Sequence, residues 1–194
     1  MFIRLSLRCF VVFILSLPGG LAHFTWAADN LNLSVNATIL NNPCTITLDT
    51  PVVRLPTVLA HDLNASVDTP TNYGTPQANF TINVTGCEGD SDGIAKLHMR
   101  FSPSGGAFPV GYKQVFINDA EAEASGLGAK GVGIVVFYHA TQQNVLGSDG
   151  VSDVVIPVTA QYQGKYAFDT RYQKVGEVSG GMVSSDVVVS VDYE

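Results

Sequence analysis

Ala78-Asn79-Phe80-Thr81-Ile82-Asn83-Val84-Thr85-Gly86-Cys87 is the stretch that decides the fold class. Ala78, Phe80, Ile82 and Val84 alternate with Asn79, Thr81 and Asn83. A period of two puts the apolar set on one face of a β-strand and the polar set on the other. The same period recurs in both directions. Upstream, Leu31, Leu33, Val35, Ala37 and Ile39 alternate with Asn32, Ser34, Asn36 and Thr38. Downstream come Ala95, Leu97, Met99 and Phe101, then Val154, Ile156, Val158, Ala160 and Tyr162, and finally Val187, Val189, Val191 and Tyr193. Gly131 to Tyr138 is continuously apolar instead, the pattern of a strand buried on both faces.

Turn clusters separate these segments: Asn41-Asn42-Pro43, Thr69 to Pro76, Glu88 to Gly93, Pro103 to Gly106, Gly147 to Gly150 and Gly176 to Gly181. Asn118 to Ser125 hints at a short helix without an apolar stripe. The expectation is an all-β sandwich of about seven to nine strands in one domain. Gly105 to Lys130 carries no readable pattern.

The start of the chain reads as a secretory signal. Arg4 and Arg8 precede an apolar run from Cys9 to Leu17, followed by Pro18-Gly19-Gly20. Thr25 and Ala27 suit a cut after Ala27, so residues 1–27 are expected to be removed. No later run is long and apolar enough to span a bilayer. The formal charge of −7 becomes −9 without Arg4 and Arg8. That excess disfavours nucleic acid, whose phosphates need clustered Lys and Arg, and anionic lipid as well.

Cys9 leaves with the signal, so Cys44 and Cys87 remain. Two cysteines in an exported chain usually pair. Closing that loop would contribute roughly 4 kcal/mol in the chain-entropy account. A catalytic thiol or a metal site is the lesser alternative, because close spacing and a histidine cluster are both missing.

Other motifs resolve into ordinary features. Gly89-Asp90-Ser91-Asp92-Gly93 matches the nucleophile-elbow string but precedes a strand where the elbow needs a helix. Read as a calcium loop, it has Phe101 where the closing Glu belongs. Gly126, Gly128 and Gly131 match a dinucleotide fingerprint yet lead into a β-rich run. His61, His98 and His139 are scattered and lack metal-ligand spacing. The sequons at Asn36, Asn64, Asn79 and Asn83 carry no weight in an Asn- and Thr-rich β protein. No catalytic set, metal site or cofactor is expected.

The mature chain resembles the chaperone–usher pilins of the type 1 fimbrial class, above all their minor, tip-adaptor subunits. The resemblance rests on Ala28-Asp29 and the alternating strand after it, then Asn42-Pro43-Cys44-Thr45-Ile46. It continues through Phe80-Thr81-Ile82-x-Val84-x-x-Cys87, Gly131-Val132-Gly133-Ile134 and Ile156-Pro157-Val158-x-Ala160-x-Tyr162. It ends on Gly181 and a penultimate Tyr193.

The resemblance implies an incomplete immunoglobulin-like sandwich lacking its final strand, with an N-terminal donor strand. Residues 28–38 would be the donor extension and residues 39–194 the pilin domain. Leu31, Leu33, Val35 and Ala37 would enter a neighbour's groove, with Ile39 at the junction. Gly181, Val187, Val189, Val191, Tyr193 and the terminal carboxylate of Glu194 would form the groove edge and chaperone contact. The implied partners are a periplasmic chaperone, an outer-membrane usher and neighbouring pilin subunits. The implied location is the surface fimbria of a Gram-negative bacterium, the role structural and not enzymatic. An adhesive subunit that binds a host glycan or protein is the alternative; tip adhesins usually carry a further domain, and Ala28 opens directly on the donor segment. On pattern alone, both ends read more simply as two strands of one closed sandwich.

Overall fold

A computed structural model describes residues 32–37 (by their backbone), 45–63, 77–85, 96–123, 125–157 and 164–193. The strands are β1 (Asn32–Ala37), β2 (Thr45–Leu48), β3 (Val52–Val53), β4 (Gln77–Thr85) and β5 (Lys96–Pro103). They continue with β6 (Val132–Tyr138), β7 (Gln143–Asn144), β8 (Val154–Pro157), β9 (Gly164–Lys174) and β10 (Ser184–Tyr193). Two single 3-10 turns, Ala60–Asp62 and Asp119–Ala122, are the only helical elements among the described residues. The second lies inside the segment whose alanines hinted at a helix.

The strands form two sheets, in the orders β3-β1-β10-β5-β8 and β2-β4-β9-β6-β7. All strand pairings are antiparallel except β1 with β10. The count exceeds the expected one because β3 and β7 are two-residue strands too short to leave a periodic signal.

Alternation puts the core where the sequence pattern points. Phe80, Ile82 and Val84 of β4 face Leu97, Met99 and Phe101 of β5, joined by Phe168 and Tyr172 of β9. Phe168 is the hub: its ring lies 5.4 Å from Phe80, 5.0 Å from Phe101 and 5.3 Å from Tyr138. Burying side chains of this size contributes roughly 1.5–3 kcal/mol each.

The two sheets differ in their outer faces. On the first, Arg100 pairs with Asp192 and Asp153, and His98 Nδ1 lies 2.8 Å from Asp153 Oδ1. On the second, the outward side chains are covered. Val135 and Phe137 of β6 pack with Val115 in a second apolar cluster, flanked by Tyr112 and Val175. This explains the continuous apolar run of β6: Val132, Ile134 and Val136 belong to the main core, while Val135 and Phe137 lie under the 112–117 segment. Phe116 exchanges backbone hydrogen bonds with Ile134 at 2.7 and 2.9 Å, so the cover is stitched to the strand it shields.

Arg171, opposite Val135 on the neighbouring strand, is fully inaccessible. Its guanidinium lies 5.3 Å from the Phe137 ring centre. One of its nitrogens donates to Tyr172 O at 2.9 Å and Gln173 Oε1 at 2.8 Å. Burial pushes its pKa down to about 10, which leaves it charged at neutral pH. Replacing Arg171 with alanine removes these bonds and opens a hole beside Phe137. We expect a loss of about 2–3 kcal/mol, read as a lower denaturant midpoint.

Candidate functional site: the strand-accepting groove

The site is the edge of β10 away from β5. Val187, Val189 and Val191 point inward and are 1–3% exposed. On the β5 side the pairing runs from Val187↔Pro103 to Tyr193↔Leu97. On the other side stands β1, in parallel register from Asn32↔Ser184 to Ala37↔Val189. β3 lies beyond it, with Leu33 opposite Val53 and Ser34 opposite Val52. Val53, Leu55 and Leu63 are buried and join the main core cluster.

Within this sheet, β3 reaches β10 only through β1. Neighbouring strands lie about 4.8 Å apart, so removing β1 would leave a slot one strand wide, roughly 10 Å from β3 to β10. Hydrophobic side chains would line it on both sides. β10 is the last strand of the described residues, and the place beside it is taken by a strand from the start of the chain. Leu33, Val35 and Ala37 stand level with Ser185, Val187 and Val189, the inward positions of β10.

The donor segment was expected to leave its own domain. In the isolated chain it lies in its own sheet instead. The connection from Ala37 to Thr45 can span up to about 27 Å when extended, enough to pass from one sheet to the other.

The start of β10 is held by residues in which the sequence showed no pattern. Asn118 is 1% exposed. Its Nδ2 donates to Ala129 O at 2.7 Å and Met182 O at 3.1 Å. Its Oδ1 accepts from Ser184 N at 2.9 Å and Ala120 N at 3.2 Å. Ala129 N donates to Met182 O at 2.7 Å, and Met182 N donates to Leu127 O at 2.8 Å. One side chain therefore ties the loop at 127–129 to the lead-in of β10. A local signal existed: an Asn two residues before an Ala-rich turn is a capping pattern.

Gly181 sits in this clamp and lines the cavity beside it. A Cβ there would lie 2.5 Å from Ala129 N and 2.6 Å from Leu127 O. Gly126 and Gly131, from the fingerprint-like string, adopt φ of +64° and +67° in the loop that leads into β6.

Asp119 is the adjacent contact. Its Oδ2 accepts from Asp186 N at 2.8 Å. Its pKa is raised, chiefly because burial penalises the charged form; the Asp186 N–H bond opposes this and the Asp186 carboxylate adds to it. A raised carboxyl pKa means the folded state holds its proton more tightly than the unfolded state. Its stability contribution is therefore greatest in acid and declines as pH rises above about 3.8, the ordinary value. Asp119→Asn keeps an oxygen for Asp186 N–H and removes the charge. We expect its melting temperature to equal or exceed the parent's at pH 7, with the difference shrinking towards pH 4. Asp119→Ala should melt lower than the parent at both.

An apolar cavity of about 240 Å³ opens beside the clamp, lined by Val58, Leu63, Val132, Tyr172 and Val183 among others. It lies at the end of β10 where β1 begins. Tyr172 Oη closes one side by donating to Pro56 O at 3.1 Å.

Several expected residues fall outside the description. Cys44, Cys87, Leu31, Ile39, Ser91 and Glu194 are not among the described residues, nor is the Tyr193 side chain. β2 and β4 do pair at Thr45↔Thr85, which brings the chain next to the two cysteines to one end of one sheet. The histidines are strand or surface residues: His139 Nδ1 lies 2.7 Å from Asp169 Oδ2, and His61 is exposed beside Asp62. Among the described residues, no group of three or more His, Cys, Asp or Glu could hold a metal ion, and no helix is long and apolar enough to cross a membrane.

These features define the class: a two-sheet, immunoglobulin-like β-sandwich with an N-terminal strand beside the last described strand. The chain is also similar to a fimbrial-like protein. It is 33% identical over 136 residues to the uncharacterized fimbrial-like protein YadK of Escherichia coli strain K12, over 65% of this chain and 66% of that one. It therefore spans just under two thirds of that relative's length. No family model matches. Among solved structures, the CupB6 tip adhesin from Pseudomonas aeruginosa aligns over 86% of this chain and 40% of its own, with a TM-score of 0.46 and 12% identity.

Proposed function

We propose that the chain is a minor structural subunit of a surface fimbria of a Gram-negative bacterium, assembled by exchange of β-strands between subunits. The observation that carries this reading is the slot between β3 and β10, filled by the N-terminal strand β1. Strand addition gives affinity through backbone hydrogen bonds and register through alternate side chains. The segment from Ala28 to about Ile39 would act as donor to the next subunit. A periplasmic chaperone would occupy the groove first, with Tyr193 and the Glu194 carboxylate at its contact, and an outer-membrane usher would hand the subunit on. The role is structural and not catalytic. Cys44 and Cys87 would form a disulfide fastening β2 to β4; one disulfide in the intact mass of the purified protein is expected, and two free thiols would contradict it.

The test is deletion of residues 28–37, followed by assays of chaperone binding and fibre incorporation. Chaperone binding should survive, while the shortened subunit fails to donate to the subunit ahead of it. Loss of chaperone binding would overturn this division of roles.

The adhesive alternative has one observation in its favour. A polar cleft of about 510 Å³ is lined by Tyr138, Gln143, Asn144, Asp149 and Asp153. A specific hit on a glycan array with strand-complemented protein would promote that reading.

A further inference from the structure

We propose that Ser185 makes the groove selective, favouring a strand that carries a hydroxyl or amide side chain at its level over one that is apolar throughout. The proposal rests on the strand-exchange reading above. Ser185 interrupts a row of inward valines, Val183, Val187, Val189 and Val191. It is itself 1% exposed. Its Oγ is buried and has no hydrogen-bond partner among the described residues. The backbone on either side is fixed, since Ser184 N donates to Asn118 Oδ1 and Asp186 N to Asp119 Oδ2.

A buried hydroxyl without a partner is costly, whereas alanine or valine at the same place would carry no such cost. The groove therefore holds a polar atom that its own core does not use. β1 places Leu33 level with Ser185 in its backbone register. A leucine side chain can neither donate nor accept a hydrogen bond. Adjacent strands lie about 4.8 Å apart, within reach of a pair of hydroxyl or amide side chains at one level. A serine hydroxyl both donates and accepts, so serine, threonine and asparagine all match it. A strand from another subunit with one such residue in its apolar row gains a bond that this chain's own segment lacks. One net hydrogen bond discriminates by about three- to tenfold.

The first test uses the full mature chain and a double-mutant cycle of L33T, S185A and L33T/S185A, read by urea unfolding. Threonine should reduce the unfolding constant about three- to tenfold less in the parent than in the S185A background. Equal reductions would overturn the proposal. S185A by itself covers the case in which L33T fails to fold. It should be at least as stable as the parent, because it removes an unsatisfied atom. A clearly lower urea midpoint would show that the hydroxyl is already bonded, and would overturn the proposal.

The second test offers the mature chain an excess of synthetic peptide of residues 28–39, or of that peptide with threonine at 31, 33, 35 or 37. Uptake is followed by native mass spectrometry. For one position, the preference for threonine over the parent peptide should be about three- to tenfold greater with the parent chain than with S185A. Uptake with no such difference at any position would overturn the role of Ser185 and leave strand exchange standing. Uptake of no peptide would overturn the acceptance of strands by this groove, and the selectivity with it.

Discussion

Replacing Asn118 with alanine lowers the unfolding free energy by about 3–5 kcal/mol, the expected result of emptying a buried four-bond clamp. The side chain holds Ala129 O and Met182 O through its amide nitrogen, and Ser184 N and Ala120 N through its oxygen. Alanine removes all four bonds at a site that is 1% exposed, and little water can replace them. Asn118→Asp discriminates further. Its carboxylate still accepts from the two N–H groups but faces two carbonyl oxygens that have lost their donor. It should be at least as destabilising as alanine at neutral pH and recover in acid, once protonated. Urea unfolding measures the loss. Amide exchange should also accelerate at Met182 to Asp186 first, because that is the stretch the clamp fixes.

The second large effect is at Gly181. Gly181→Ala puts a methyl group 2.5 Å from Ala129 N and 2.6 Å from Leu127 O, both backbone atoms that cannot swing aside. The backbone must separate there, breaking the hydrogen bond from Met182 N to Leu127 O and the one from Ala129 N to Met182 O. We expect a loss of about 3 kcal/mol or more, with β10 loosened at its start. Gly105 is the internal control, since a Cβ there meets nothing within 4 Å. Gly105→Ala should leave the melting temperature within a degree or two. Equal effects at the two glycines would mean that close approach does not set the cost.

Much of this architecture is legible in the chain. Phe80, Ile82 and Val84, then Leu97, Met99 and Phe101, then Val187, Val189 and Val191, all face the core as their period of two demands. The apolar run in β6 is buried on both faces, as its composition indicates. What covers its outer face is not legible. Tyr112 and Val115 lie in a loop without period, and their partners are brought near only by the folded sheet. Arg171 shows the same limit: nothing in Asp169-Thr170-Arg171 marks an arginine that is fully buried.

The clamp at Asn118 escaped for a related reason. Its bonds join positions 11 and up to 66 residues away. Only a local capping pattern marks it in the sequence. Gly181 is visible as a landmark of a resembling family, but its close approach to residues 127–129 is not. The destination of Leu33, Val35 and Ala37 is a third case. Alternation specifies a strand with one greasy face and is silent on which molecule's core receives it. In the isolated chain the backbone of this segment pairs with β10.

The most direct test of strand exchange is cysteine cross-linking in assembled fibres. One population of subunits would carry Val35→Cys, and a second, differently tagged population would carry a cysteine in place of Val187, Val189 or Val191. The two would be co-expressed and the fibres isolated and oxidised. The account predicts a disulfide-linked heterodimer carrying both tags for at least one of the three positions. Fibres containing both populations but no such heterodimer at any position would contradict it.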